Sequence, residues 1–268
     1  MEYQDITPFT VGSYFVAGWF PTTSLYVGLD KETLEKVVLK ASDLRHVVNP
    51  NENALDMSKV ILEREKSLMD KLDHKYICPA IEVVKGEEDD VDFLVMPYLS
   101  NTTLNDWLVH DAKQVKFLYL GHVAEALEHA HSREIMHGDI KPTNIAVNGH
   151  GTLFDWGNGY ELSRPWVVGD YGRGTYNFMS PEQVSIMQPT PEQDVFGFCV
   201  TAYVMLTTHF PYRATARGSD FRQFDARGQE LEGTGDFAKL CIKGLNIDPA
   251  KRPCISLLKE ACYEAATQ

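Results

Sequence analysis

The turn His137–Asn144 reads H-G-D-I-K-P-T-N, and Pro142 within it stops any helix from running through. Asp139, Lys141 and Asn144 therefore share a non-helical turn. A short apolar run, Ile145–Val147, follows; after Asn148-Gly149-His150-Gly151 a second run, Thr152–Phe154, ends at Asp155. Two such runs about a Gly-rich turn read as a β-hairpin. Its ends bring the 139–144 turn and Asp155 close together. Phosphoryl transfer needs this inventory: a carboxylate to orient a hydroxyl, a cation for the moving phosphoryl, and an Asn and an Asp to hold Mg²⁺. A lone Asp or Asn in a turn is more often structural. All of them in this order, with Asp155-Trp156-Gly157 after the hairpin, are specific.

The chain has 268 residues, enough for one large domain or two small lobes. Its net charge of −13 argues against general binding to nucleic acid or acidic membranes. Cys78, Cys199, Cys241, Cys254 and Cys262 contain no C-x-x-C pair and read as free, mostly buried thiols in a reducing compartment. The first residues, M-E-Y-Q-D-I-T-P, lack a secretory core, and the apolar run Val195–Leu206 is too short to cross a bilayer. A soluble, intracellular, cytoplasmic chain is expected.

Tyr14–Ala17, Leu25–Val27, Lys36–Leu39, Ile81–Val84 and Val91–Met96 read as strands. A helix is expected over roughly 54–72, where Ile61, Glu65, Leu68 and Leu72 share a face. Glu65 is the acid on that apolar stripe and needs an internal partner, for which Lys40 is the candidate. Leu104–Leu108 begins a short helix, and Lys116–His131 is a longer one with Leu118, Val123, Leu127 and Ala130 on its apolar face. Asp194 is read as the start of an apolar helix over 194–206, where free N–H groups favour a carboxylate.

The H-G-D-I-K-P-T-N and D-W-G segments resemble the catalytic loop and the start of the activation segment of eukaryotic-type protein kinases. V-V-L-K ending at Lys40, G-T-Y-N-F-M-S-P-E-Q at 174–183 and D-P-A-K-R-P at 248–253 resemble further motifs of that family, in its order. The likeness runs from about Tyr14 to Leu258. It implies an α+β, bilobal kinase fold as a single domain over 1–268, with a small β-rich lobe to about residue 98 and a larger, mainly helical lobe from about 99.

The resemblance also implies roles. Asp139 becomes the catalytic base, Lys141 the phosphate contact, and Asn144 and Asp155 the Mg²⁺ ligands. Around ATP it places Gly18 and Leu25, then Val38 over one face of the adenine and Ala146 below it. Lys40, paired with Glu65, meets the phosphates, and Met96 guards the back of the pocket. Pro97 and Leu99 stand at the hinge, where Pro97 keeps the carbonyl that adenine recognition uses. Arg252 is the family's partner for Glu182, Asp194 braces the catalytic loop, and Thr175 supplies a structural hydroxyl near Asp139 and Lys141.

Two departures stand out. Of the family's three loop glycines only Gly18 remains, with Phe20 and Thr23 at the other two places and Pro21 lacking an N–H. Thr22, Thr23 and Ser24 offer hydroxyls instead. Gly138 stands where many members carry an Arg that pairs with a phosphorylated loop. Phosphorylation at Ser163, Tyr171 or Thr175 is thus not required through that cation, and Arg164 and Arg173 are the other cations nearby.

The resulting expectation is an ATP- and Mg²⁺-dependent Ser/Thr protein kinase acting on protein substrates. Lys141, two residues after the base, supports Ser/Thr over Tyr. The depleted glycine loop keeps a second reading open, a pseudokinase acting as a binding or allosteric module. A third is a small-molecule phosphotransferase of the aminoglycoside or choline type, which shares H-G-D and D-W. Segments 174–183 and 248–253, with Asp194, favour the protein kinases.

The adenine walls give a test. Val38 stands where a smaller Ala is usual, and Ala146 where a larger Leu is usual. Each buried methylene is worth about 0.8 kcal/mol, so either change alone should matter. Ala146→Leu is expected to overpack the slot and weaken ATP binding, Val38→Ala to leave a gap, and the double variant to recover affinity. Isothermal titration across this cycle checks it; additive losses show that the two positions do not share the ring.

Overall fold

The structure, a computed structural model, describes residues 4–11, 14–19, 25–42, 54–85, 91–110, 112–165, 174–212, 231 and 235–268. Contacts divide the chain into two units: Met1–Asp73 with Cys78–Asn101, and His74–Ile77 with Thr102–Gln268.

The first unit is built on a six-stranded sheet. Its strands are β1 (Gln4–Val11), β2 (Tyr14–Trp19), β3 (Leu25–Asp30), β4 (Lys36–Ala41), β5 (Glu82–Lys85) and β6 (Asp92–Pro97). The spatial order is β1-β2-β3-β4-β6-β5, with every pair antiparallel. Sequence patterning missed β1, which carries Pro8. Proline has no N–H for a ladder, and here it sits on an edge strand where the pairing slips between Asp5 and Phe9. The other strands form within a few residues of the expected spans.

Strand alternation decides what each face of the sheet carries. Val37, Leu39 and Ala41 turn into an apolar core with Tyr26, Val91, Phe93 and Val95. Val38 and Lys40 therefore occupy the opposite face, with Leu25 across from Lys40, and Val27 and Met96 flanking Val38. Helix α1 (Ala54–Met69) ends before the expected residue 72. Its last backbone bonds tighten from the i−4 to the i−3 carbonyl, Lys71 to Leu68 and Leu72 to Met69, which closes the helix. The expected stripe is buried at Glu65, Leu68 and Leu72, and Leu62 and Met69 join it.

The second unit is mainly helical: α2 (Lys113–His131), α3 (Pro181–Val184), α4 (Pro191–Thr207), α5 (Gly235–Gly244) and α6 (Ile255–Ala266). Short strands β7 (Ile135–Met136), β8 (Ile145–Val147), β9 (Gly151–Leu153) and β10 (Tyr160–Glu161) carry the loops between α2 and α3. The short helix expected from Leu104 forms as one 3₁₀ turn over residues 104–107. Leu118 is 37% exposed, contrary to the expected face. It lies half a helical turn out of phase with Leu127, since nine residues make two and a half turns. The buried members of α2 include Leu120, Val123, Leu127 and Ala130. Lys116 is buried too, its ammonium donating to the carbonyls of Leu108 and Met205.

Helix α4 begins three residues before the expected Asp194. Pro191 occupies its first turn, where a missing N–H costs nothing, after Thr190 at the N-cap. This start turns Asp194 away from capping its own helix and leaves it for another task. All five cysteines are free, and four of them are buried. Among the described residues no helix is long and apolar enough to cross a membrane.

Arg252 ties the second unit together. Its guanidinium meets Glu182 through two bonds, of 2.5 and 2.8 Å, and donates to the carbonyls of Asn246 and Glu192. It also lies over the Phe196 ring. Both side chains are nearly dry, so losing one strands the other. Arg252→Met is expected to cost about 3–5 kcal/mol of stability, measured by urea unfolding at neutral pH.

Candidate functional site

The loop His137–Lys141 hangs between elements that fix both its ends. Strand β7 enters it, and β10 returns beside β7 with Met136 opposite Tyr160. The expected hairpin forms as β8 and β9, one residue earlier on its second arm, with Ile145 opposite Leu153. Immediately beyond that pair, the Phe154 N–H donates to the Asn144 carbonyl at 3.1 Å. The residue before Asp155 is thus stitched to Asn144.

Asp194 of α4 holds the loop from behind. Its Oδ2 accepts the His137 N–H and its Oδ1 the Gly138 N–H, each at 2.8 Å. His131 Nε2 also meets Oδ2, at 2.9 Å. Thr201, about two turns further along the same face of α4, donates its hydroxyl to the Ile140 carbonyl. The His137 ring spans the loop: Nε2–H donates to the Phe154 carbonyl, and Nδ1 accepts the Asp139 N–H. These two partners fix its tautomer.

The Asp139 carboxylate, 4% exposed, is gripped at both oxygens. Oδ1 accepts the Thr175 N–H at 2.8 Å, and Oδ2 accepts the Lys141 ammonium at 2.7 Å. Lys141 donates also to the Thr175 hydroxyl at 2.6 Å, and Asn144 Nδ2 donates to the Asp139 carbonyl at 2.9 Å. Such an arrangement can orient a hydroxyl at the carboxylate with a cation alongside.

Two backbone positions need explanation. Gly138 sits at φ 78°, where glycine carries no penalty. Asp155 sits at φ 65°, ψ 66°, a left-handed conformation costing a non-glycine residue about 1–2 kcal/mol. Such strain persists only where the surroundings enforce it. Here they include the hairpin before Asp155 and, after it, the fully buried Trp156, packed edge-on against His137 at 4.7 Å. The Trp156 indole N–H has no hydrogen-bond partner among the described residues.

In the first unit Lys40 Nζ meets Glu65 Oε2 at 2.7 Å, as the stripe argument expected. Glu65 is fully buried, so its charge depends on that ammonium. Leu25, Val38 and Met96 share the Lys40 face. Pro97 pairs with Val37, and the Tyr98 N–H donates to the Lys36 carbonyl, which sets the backbone leading to Leu99. Gly18 is in β2, paired with Val27 next to a register slip. Residues 20–24, which hold the remainder of the glycine-poor loop, lie outside the described residues, as do Tyr171 and Arg173. Ser163 and Arg164 are exposed. Ala146 is buried in β8 of the second unit.

Sequence reasoning missed Gln183, whose amide donates to the Gly138 carbonyl at 2.7 Å. A signal existed: Ser180 and Gln183 have capping-box spacing, and that box forms.

Burial alone would push the Asp194 carboxyl up, but the hydrogen bond and charge of His131, followed by His137, hold it below the ordinary 3.8. A depressed folded pKa stabilises fully above the unfolded value and loses that contribution as pH falls through the folded one. The wild type is therefore expected to lose stability steeply below about pH 4, and Asp194→Asn, weaker at neutral pH, to follow a shallower slope there. Urea midpoints between pH 2 and pH 6 check this; parallel slopes count against it.

Residues 21–263 match the family model described as protein kinase domain. A chain of Acanthamoeba polyphaga mimivirus, provisionally named a serine/threonine-protein kinase, is 28% identical over 254 residues, covering 88% of this chain and 87% of its own. Serine/threonine-protein kinase PrkC of Bacillus subtilis (strain 168) is 28% identical over 157 residues, 56% of this chain and 24% of that protein. A provisionally named serine/threonine-protein kinase of Dictyostelium discoideum is 29% identical over 269 residues, 97% of this chain. The chain spans 31% of that protein's length.

Proposed function

The chain belongs to the protein kinase domain family, and we propose that it is a Ser/Thr protein kinase moving the γ-phosphoryl group of ATP to protein hydroxyls with Mg²⁺. The observation that carries this reading is the grip on Asp139, with Thr175 N–H on one carboxylate oxygen and Lys141 on the other. A carboxylate so fixed can orient a hydroxyl and accept its proton, and Lys141 offsets charge on the phosphoryl group in flight. Lys40, charged and set by Glu65, is assigned to the nucleotide's phosphates.

The family uses ATP and a divalent cation. Asn144 spends its Nδ2 on the Asp139 carbonyl, which leaves Oδ1 as the side chain's acceptor. With the Asp155 carboxylate this makes an oxygen donor set, suited to a hard cation such as Mg²⁺. Among the described residues no three His, Cys, Asp or Glu side chains form a metal cage. Mg²⁺ needs none, because it draws most of its ligands from phosphates and water. When bound, the ion neutralises charge on the phosphates.

Leu25, Val38, Met96, Pro97 and Leu99 of the first unit are assigned to the adenine, and Gly18 to the loop over the phosphates. The bidentate Glu182–Arg252 pair favours a protein kinase over a small-molecule phosphotransferase, since both belong to the motifs specific to the former. The free thiols favour a cytoplasmic location.

Incubation with labelled ATP and Mg²⁺, with phosphosite mapping, tests the reading. Wild type is expected to label Ser or Thr on itself or in a peptide library. Asp139→Asn should lose about 10²- to 10⁴-fold in rate and still unfold cooperatively. A wild type that transfers nothing points to a binding module. An Asp139→Asn variant at wild-type rate removes Asp139 from the chemistry.

A further inference from the structure

The bond from Gln183 to the Gly138 carbonyl has a consequence for Asp139. Gln183 stands third in α3 and is 3% exposed. Its backbone N–H donates to Ser180 Oγ, and its side-chain Oε1 accepts the Ser180 N–H. That second bond fixes which end of the carboxamide is the oxygen, so Nε2 is the end presented to Gly138. Both ends of the amide are committed.

The acceptor carbonyl belongs to the peptide unit joining Gly138 to Asp139. The N–H of that unit donates to His137 Nδ1. The plane leading into Asp139 is thus held on one edge by Gln183 and on the other by His137. Without Gln183, the glycine at φ 78° is free to rotate this plane, because nothing in its own side chain resists. Gly174 closes over the same bond: a Cβ there would lie 3.1 Å from both Gln183 Nε2 and the Gly138 oxygen. The next residue, Thr175, donates its N–H to Asp139 Oδ1. A cavity of about 10 Å³ beside these groups has room for one water at most.

We infer that Gln183 is a positioning residue, setting the orientation of Asp139 from the start of α3 through the Gly138–Asp139 peptide unit. The inference rests on the assignment of Asp139 as the base. Its partner atoms are neutral, so the hold needs no phosphate and no charge from the segment before α3.

Gln183→Glu tests it without dismantling the helix start. The carboxylate still accepts the Ser180 N–H but opposes the Gly138 carbonyl with an oxygen. Gln183→Met fills the same space without a donor, whereas a smaller residue would let water take over the bond. Both variants are expected to lower kcat for peptide phosphorylation about tenfold, the worth of one buried hydrogen bond, with KM for ATP unchanged. Ser185→Ala in the turn after α3 should match wild type.

Amide hydrogen exchange supplies an arm independent of catalysis. The Asp139 and Thr175 amides should exchange about tenfold faster in both variants, with the α2 amides unaltered. Unchanged kcat and unchanged exchange at these two amides overturn the inference. So does a loss of protection spread equally over α2, which reduces Gln183 to a fold-stabilising residue. If wild type shows no transfer but the local exchange still rises, positioning stands and the kinase reading falls.

Discussion

Asp194 is a charge placed where water cannot reach it, and its oxygens are satisfied by the backbone of another segment. A buried carboxylate is tolerable only when hydrogen-bonded or paired. The N–H groups of His137 and Gly138, with His131, meet that need. The dependence runs both ways. A turn containing glycine and proline has little regular hydrogen bonding of its own, so the carboxylate serves it as an external template. The His137 ring, the Asp139 amide, the hairpin and Asp155 then follow in order from the fixed residue.

The second unit treats its charges in two ways. Glu182 and Arg252 neutralise each other inside the protein with guanidinium fork and carboxylate matched in shape. Lys141 and Asp139 are also in contact, yet the lysine side chain is 20% exposed. The first pair is closed by further carbonyls on the guanidinium. The second stays partly open to solvent.

Much of this was legible in the sequence because the signals were local. The hairpin announced itself through two apolar runs and a glycine-rich turn. The Lys40–Glu65 pair followed from an acid on an apolar stripe, which must find a cation somewhere. Where reading failed, a competing rule decided. Pro8 hid β1, since a proline argues against a strand unless the strand is an edge. Asp194 reads locally as a helix start, but Thr190 and Pro191 hold the stronger start signal; its hold on the 137–138 turn follows from the family resemblance and not from local pattern. Leu118 has the residue type of the buried face of α2 but not its phase. The Gln183 bridge links residues 45 positions apart and depends on a tertiary approach that no local pattern encodes.

The segment His74–Ile77 lies in sequence among residues of the first unit and belongs in space to the second. The Tyr76 carbonyl takes the Leu153 N–H, and its ring stacks on His122 at 4.0 Å. Ile77 forms a bridge to Leu153 as well. The second unit is therefore not a continuous stretch of gene. A recombination event joining one relative's residues up to Asn101 to another's from Thr102 would bring together a 74–77 segment and a hairpin with separate histories. Exchange of whole units at that boundary would have to match the Tyr76 ring to His122 and the Tyr76 carbonyl to Leu153, four residues' worth of contacts supplied from the far side of the boundary.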